Sequence, residues 1–389
     1  MSASADAGSE SPTATGAGSD AESRETGPDR DVDNDVVAGL SVLVVGTFGG
    51  GGVHQYIDGQ VARLPDELSV TTHDMGMPPT DSGFTRPLEG VLLGALAALR
   101  FPFRSRPDVT HVHTSHRFSF YRAAVYVLFA KYIWRSAVVV HVHGSSFDEF
   151  VTTDSRAVAA LQDRVFAAAD EVIVLSEYWR DVVARRTDRG KVRVLPNAVD
   201  PEEYPDDAAG DDGTPHVVFV SNLVERKGVS ELVGAVEAVL ERRDGIRVSI
   251  AGDGPLADEV ERLSAEHDEV SYLGYVSEQR KRELLGEGSI FVLPTYAEGL
   301  PIAMLEGMAG GNAVVSTAVG SIPEVIDRDT GLLVDPGDVA GLADALETLA
   351  TDAERRRAMG ANCRTAVEDR YSWDRVIDEL VSAYHSYAR

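Results

Sequence analysis

The stretch "VLPTYAEGLPIAMLEGMAGGNAVVST", residues 292–317, reads as one repeating unit of a fold. An apolar run ends at Leu293. A loop follows with Glu298 and Gly299, then a helical run, then the apolar segment 312–317. Two apolar runs joined by a helix make a βαβ unit, whose parallel strands are covered on both faces. Pro301 suits the first helical position, where its missing N–H costs nothing. Glu298 then precedes the helix and Glu306 lies more than one turn inside it. The helical neighbours of Glu306 are Ile302, Ala309 and Gly310, all apolar or small. A carboxylate on that face is costly without a partner. The alternative, a solvated surface glutamate, is disfavoured for Glu306 and stays open for Glu298.

The same alternation runs outward in both directions. "HVVFVSNL", "IRVSIAGDG", "VSYLGYV" and "SIFVLPTY" are strand-like runs separated by helices, and "GLLVDPGD" closes the series. An earlier series comprises "LSVLVVGTF", "DVTHVHTS", "AVVVHVHG", "DEVIVLSE" and "VRVLPNAVD". Between them, "DPEEYPDDAAGDDGTP" is acidic, with Pro and Gly and little apolar content, and reads as a linker at 200–215. The expected fold class is α/β, with two Rossmann-like doubly wound domains facing across a cleft. The first covers 37–199 and the second 216–372. Residues 1–36 read as a disordered acidic tail. Ligands in such sheets bind at the carboxyl ends of the strands, where most of the glycines fall.

Composition bounds the partners. Asp and Glu number 63 against 36 Lys and Arg, for a net charge of −27. The lysines are Lys131, Lys191, Lys227 and Lys281 alone. Such a surface repels itself and is in the style of halophilic proteins, where salt screens the repulsion. No basic stripe exists, which argues against nucleic-acid binding. Cys363 is the only cysteine, so no intrachain disulfide forms and a reducing cytoplasm fits. No secretory leader is expected, because the first 36 residues have no apolar core. No run of about 18 uncharged apolar residues suggests a membrane span.

Together, "GGGGVHQYI", "HVHG", "VLPNAVD", "SNLVERKGV", "AGDGP", "YLGYVS" and "PTYAEGLPIAMLEGMAGG" resemble, in order, the retaining glycosyltransferases of family four, which have the GT-B fold. The resemblance covers about 40–389. The closing "YSWDRVIDELVSAY", within 373–389, resembles the family's last helix, which crosses back onto the first domain. The resemblance implies a nucleotide-sugar co-substrate, UDP- or GDP-linked, a hydroxyl acceptor, and no cofactor. Many related enzymes use lipid-linked acceptors in glycan, glycolipid or polysaccharide synthesis. It implies that Glu306 accepts from the ribose hydroxyls and Glu298 reaches the transferred sugar. The helix start at Gly299, Leu300, Pro301 and Ile302 would hold the diphosphate. Lys227 would stabilise the leaving phosphate, His143 would lie beside the donor sugar, and Gly51 and Gly52 belong to a loop that closes over acceptor and phosphate. The base would be read near Tyr275 and Val276. Many members carry an arginine five residues before the lysine, where this chain has Asn222. Either Lys227 and the helix suffice or Arg226 compensates, although adjacent side chains usually face different ways.

Other readings compete. His111/His113 and His141/His143 are His-x-His pairs that invite zinc, but no Cys or carboxylate accompanies them, so no metal is expected. Asp-x-Asp occurs at Asp31/Asp33 and Asp327/Asp329, in the tail or a turn. The Gly49–Gly52 run fails the dinucleotide fingerprint, and "GDGPLA" lacks the acid that should end the next strand, which disfavours an oxidoreductase. An epimerase of the same fold would need acid and base carboxylates and no acceptor. A non-catalytic sugar-binding module would be expected to have lost His143, Glu306 or Lys227. Residues 118–135, aromatic and apolar with Arg122, Lys131 and Arg135, read either as a core helix or as a peripheral membrane contact.

Overall fold

The computed structural model describes residues 39–48, 52–76, 86–205 and 213–387. The tail 1–36 and Gly51 lie outside these residues. The first sheet holds β1 (Ser41–Gly46), β2 (Ser69–Asp74), β3 (Val109–Thr114), β4 (Ala137–Val142), β5 (Glu171–Val174) and β6 (Val192–Val194) in the order β2-β1-β3-β4-β5-β6. The second holds β7 (His216–Val220), β8 (Arg247–Ala251), β9 (Val270–Gly274), β10 (Ile290–Leu293), β11 (Ala313–Thr317) and β12 (Gly331–Val334) in the order β12-β11-β10-β7-β8-β9. Every neighbouring pair is parallel. The central strands are continuous apolar runs because helices cover both faces. β2, "SVTTHD", has no such run: it is an edge strand with only His73 buried, which explains its silence in the sequence.

The first sheet is covered on one face by the helices Gly52–Arg63 and Trp373–His385. Tyr56, Ile57, Trp373 and Leu380 pack there on Val44, Val139 and Ile173. The chain returns from the second domain at residues 371–373, where Val199 donates its N–H to Tyr371 and accepts that of Trp373. The other face is covered by the helix Phe118–Phe129, whose Phe120, Ala123 and Val127 join the main core. Residues 118–135 are therefore a core helix along one face; the opposite face is exposed. Tyr204, inside the acidic segment between the sheets, is buried, and Arg364 donates to its carbonyl.

Candidate active site

The order of the second sheet reverses between β7 and β10. Crevices outside the carboxyl ends of such a pair are where open α/β sheets take ligands. The loops after these two strands carry Arg226, Lys227 and Glu298. Glu225–Lys227 form a short 3-10 turn that ends at Gly228, with φ +71°. A Cβ on Gly228 would sit 1.9 Å from the carbonyl oxygen of Pro294. Glycine therefore lets the turn rest on the end of β10. From the other side, a Cβ on Gly320 (φ +54°) would lie 2.1 Å from the carbonyl oxygen of Glu298. The loop bearing Glu298 is held between these two glycines.

That close approach puts both cations on one carboxylate. Lys227 Nζ donates to Glu298 Oε1 at 2.5 Å, Arg226 Nη1 at 3.3 Å and Thr295 Oγ1 at 3.2 Å. Arg226 Nη1 also donates to the Ala297 carbonyl at 2.6 Å. The adjacent side chains Arg226 and Lys227 thus converge, contrary to the usual divergence, because the tight turn is pressed flat on the loop they grip. Asn222 is exposed. Lys227 and Glu298 are both nearly enclosed, at 12% and 9% side-chain exposure, so neither charge is dispersed by water.

The helix after the loop spans Ile302–Ala309, and Pro301 caps it with ψ 117° instead of forming its first turn. The Pro301 carbonyl accepts from Met304 and Leu305. This corrects the expected start by one residue. Glu306 is buried, as its spacing implies. Its partner is internal: Lys281 Nζ, from the helix Glu278–Glu287, donates to Glu306 Oε1 at 2.7 Å and also meets Glu278. Burial works against the Lys281 charge, but Glu306 and Glu278 more than offset it and raise its pKa. Tyr204 also bonds to Glu306; burial, then that negative charge, push its hydroxyl far up.

The first domain presents histidines. His111 and His113 on β3 and His141 on β4 are buried, and the register sets His113 beside His141. His143, one residue beyond β4, is the one of the four that keeps partial exposure. The rings stack, with His141 and His143 centroids 4.0 Å apart. His113 Nδ1 bonds to His143 Nε2 at 2.9 Å and His111 Nδ1 to Tyr384 Oη at 2.5 Å. Desolvation depresses all four: His111 and His143 to about 3, His113 and His141 well below the usual value. They are neutral near pH 7. His141 supplies the third nitrogen that pairing in sequence did not reveal: His111, His113 and His141 offer ring atoms within 4.8 Å of one another. Tetrahedral zinc would need nitrogens about 3.3 Å apart, so the trio would have to draw together to hold one.

The two sides touch at the Glu298 loop. Trp179 Nε1 donates to the Gly299 carbonyl at 2.9 Å and Asn197 Nδ2 to the Leu300 carbonyl at 2.6 Å. A Cβ on Gly299 would lie 2.9 Å from the His143 carbonyl oxygen, and one on Gly52 would lie 3.9 Å from Ile302. Arg226 helps depress His116, whose pKa falls mainly through burial. The structure therefore brings together His143, Gly299, Leu300, Glu298, Lys227 and Arg226. Glu306 lies one helix further in. Tyr275 is 83% exposed just past β9, with Val276 partly buried beside it. Asp327 accepts from the N–H of Asp329 and the Thr330 hydroxyl, a local turn; Asp31 and Asp33 lie outside the described residues. Lys281, Tyr204, Thr295, Trp179, Asn197 and His116 were not marked by sequence. Only the scarcity of lysine pointed toward Lys281.

A model of group 1 glycosyl transferases matches residues 214–352, and a glycosyl transferase 4-like domain matches 36–198. The alpha-maltose-1-phosphate synthase of Mycolicibacterium smegmatis is 30% identical over 383 residues, which span 87% of this chain and 95% of that one. The chain belongs to the group 1 glycosyltransferases. This glycosyltransferase is also 33% identical over 186 residues to the GDP-mannose-dependent monoacylated alpha-(1-6)-phosphatidylinositol monomannoside mannosyltransferase of Corynebacterium glutamicum, covering 46% of this chain and 49% of that one. The solved structure of Anabaena HepE in complex with UDP shares the architecture, at TM-score 0.68 and 16% identity over 89% of this chain and 100% of that one. The fold is therefore GT-B: two Rossmann-like domains that meet at the edge carrying His143, Gly299 and Glu298.

Proposed function

We propose that this glycosyltransferase moves a sugar from a nucleoside-diphosphate sugar, UDP-linked before GDP-linked, to a hydroxyl acceptor with retention at the anomeric carbon. The observation that carries this is the pair Arg226 and Lys227 gathered on buried Glu298 at the sheet's switch point, in the loop whose Gly299 abuts the His143 carbonyl. The bond from the anomeric carbon to the phosphate oxygen breaks as the acceptor oxygen bonds on the same face. The departing phosphate takes the acceptor proton. No enzymic nucleophile is needed; catalysis is positioning plus charge stabilisation. Lys227 and Arg226 meet the diphosphate at the helix start. Glu298 keeps these cations in place and reaches the sugar. Neutral His143 positions the sugar and transfers no proton.

Glu306 already has two internal donors, but a carboxylate offers about four lone-pair sites, enough for ribose hydroxyls as well. Tyr275 and Val276 frame the base, and Gly52, expected in a loop, instead opens the helix Gly52–Arg63 on the acceptor side. The reaction needs no metal or cofactor, and the enzyme works in the cytoplasm, its acidic surface suited to molar salt. A lipid-linked acceptor is supported by the mannosyltransferase relative. Calorimetric titration with UDP, GDP and their sugars tests this reading. Glu306→Gln is expected to weaken both the free diphosphate and the donor, since an amide accepts less strongly than a carboxylate. Glu298→Gln is expected to spare the diphosphate and lose donor binding or turnover. Equal losses in both variants for both ligands would make the pair purely structural.

A further inference from the structure

One face of the first domain has a surface unlike the rest of the chain. The helix Arg86–Arg100 has no charged residue from 90 to 99, yet it lies on the outside. Leu92 is 56% exposed, Leu96 46% and Leu99 68%. Phe103, in the turn that follows, is 90% exposed. The neighbouring helix Phe118–Phe129 is apolar on two faces: Phe118, Tyr121 and Val125 repeat at spacings of three and four on the solvent side, opposite the buried Phe120, Ala123 and Val127. Solvent-facing helical positions are normally polar. Of the fifteen exposed large apolar side chains among the described residues, eleven fall between 91 and 133. This is one patch and not scattered exposure.

The charge of this segment is inverted. Residues 86–135 hold eight Lys and Arg and two Asp and Glu, a balance of +6 in a chain of −27, which leaves −33 on the remainder. One of the two acids, Asp108, is taken up by the N–H and hydroxyl of Ser41. Arg122 lies between the two helices: its guanidinium sits 5.5 Å over the Phe118 ring, and its Nε is 3.9 Å from where a Gly94 Cβ would be. Its Nε and Nη2 are enclosed and have no partner among the described residues.

We propose that this face docks on an anionic lipid bilayer, with the helices Arg86–Arg100 and Phe118–Phe129 lying in the interface plane. Leu92, Leu96, Leu99 and Phe103 enter the headgroup–acyl boundary, while the exposed Arg100 and Arg104 meet lipid phosphates; Lys131 is held by Asp170 at 2.6 Å. No described helix is long and apolar enough to cross a membrane, so the contact is with the surface. Charge selects this occupant. A second copy would bring +6 against +6. The remaining −33 is repelled by an anionic surface, so the molecule can approach with this face only. Within the patch, Phe118 lies four residues beyond the end of β3 and two beyond His116, whose backbone N lies 3.1 Å from where a Gly144 Cβ would be. The docked face thus borders the edge that carries His143. The inference rests on the transfer reading only in making the acceptor a membrane lipid.

Flotation of the full chain with vesicles tests it. At least tenfold tighter binding is expected to phosphatidylglycerol vesicles than to phosphatidylcholine vesicles. Leu96→Gln with Leu99→Gln is expected to weaken binding about tenfold or more, and Arg100→Ser with Arg104→Ser by about tenfold with a shallower salt dependence. Hydrogen exchange of the unmodified chain is expected to show vesicle-dependent protection confined to about 90–135, which needs no variant to fold. Equal binding to both lipids, absence of binding, protection elsewhere, or a dimer in light scattering that the Leu pair dissolves would each overturn the proposal. UDP titration without vesicles separates the two readings. Nucleotide binding without vesicle binding sinks the docking alone, and vesicle binding without nucleotide binding sinks the transfer alone.

Discussion

The two domains repeat one fold and meet edge to edge, yet two buried polar clusters, one in each, are handled in opposite ways. In the first, four packed imidazoles lose their charge: desolvation keeps them neutral, His113 bonds to His143 and His111 to Tyr384, and His141, among the described residues, is held by ring packing alone. In the second, the charges stay and are paired, Glu298 with Lys227 and Arg226, and Glu306 with Lys281. Neutral rings suit a side that must shape and orient a sugar. Fixed ions suit a side that must hold an anion, since their field is already aimed before the ligand arrives. Under the proposed transfer, the division matches what each ligand fragment carries; the fold itself is the same on both sides.

The comparison breaks most severely if a paired ion loses its partner. Lys281→Met leaves Glu306 enclosed with Tyr204 as its remaining donor, and is expected to cost about 3–5 kcal/mol of stability in chemical denaturation. Replacing Glu306 by Leu in the same chain is expected to recover part of that loss. A cost below about 1 kcal/mol would mean that Glu306 does not depend on Lys281.

A smaller effect sharpens the functional half. Lys227→Ala is expected to weaken UDP by about 1.5–3 kcal/mol, roughly ten- to a hundredfold, while nucleoside binding changes little. His143→Ala is expected to do the reverse, cutting turnover while sparing UDP. If Arg226→Ala weakens UDP more than Lys227→Ala, the principal phosphate contact is Arg226, and the exposed Asn222 is explained.

A graded probe of the first domain is acid. The folded chain keeps its buried imidazoles neutral, whereas the unfolded chain protonates them below about pH 6.5. The unfolded state then binds more protons, so stability is intact above pH 6.5 and is lost as pH falls toward 3. Each histidine contributes about 1.4 kcal/mol per pH unit across that window. Denaturation midpoints between pH 7.5 and 5 measure the slope. Replacing His111 by Gln should remove close to one proton from it, and an unchanged slope would place His111 in water.

Much of this was legible in the chain. The inner strands of the second sheet, β11, β10, β7 and β8, lie within apolar runs, because parallel strands covered on both sides need them. The burial of Glu306 followed from helical spacing alone. What could not be read was set by distance along the chain. Lys281 reaches Glu306 from another helix, and Tyr204 from a segment whose acidity reads as a solvated linker. Arg226 joins Lys227 only because Gly228 lets the turn lie on Pro294. β2 has no apolar run because it is an edge. The dual character of 118–135 was ambiguous because core and solvent faces are both apolar there; exposure in the fold tells them apart.

The returning helix Trp373–His385 has a consequence in time. Gln60 donates to Tyr384 across 324 residues of chain. At synthesis rates of about 5–20 residues per second, Gln60 and Tyr56 wait on the order of tens of seconds for that cover. Until then that face of the first sheet is covered by the helix Gly52–Arg63 without its neighbour, and His111 is without Tyr384. The part made first is finished last, so a nascent first domain needs either a chaperone or a second domain that folds promptly enough to deliver its closing helix.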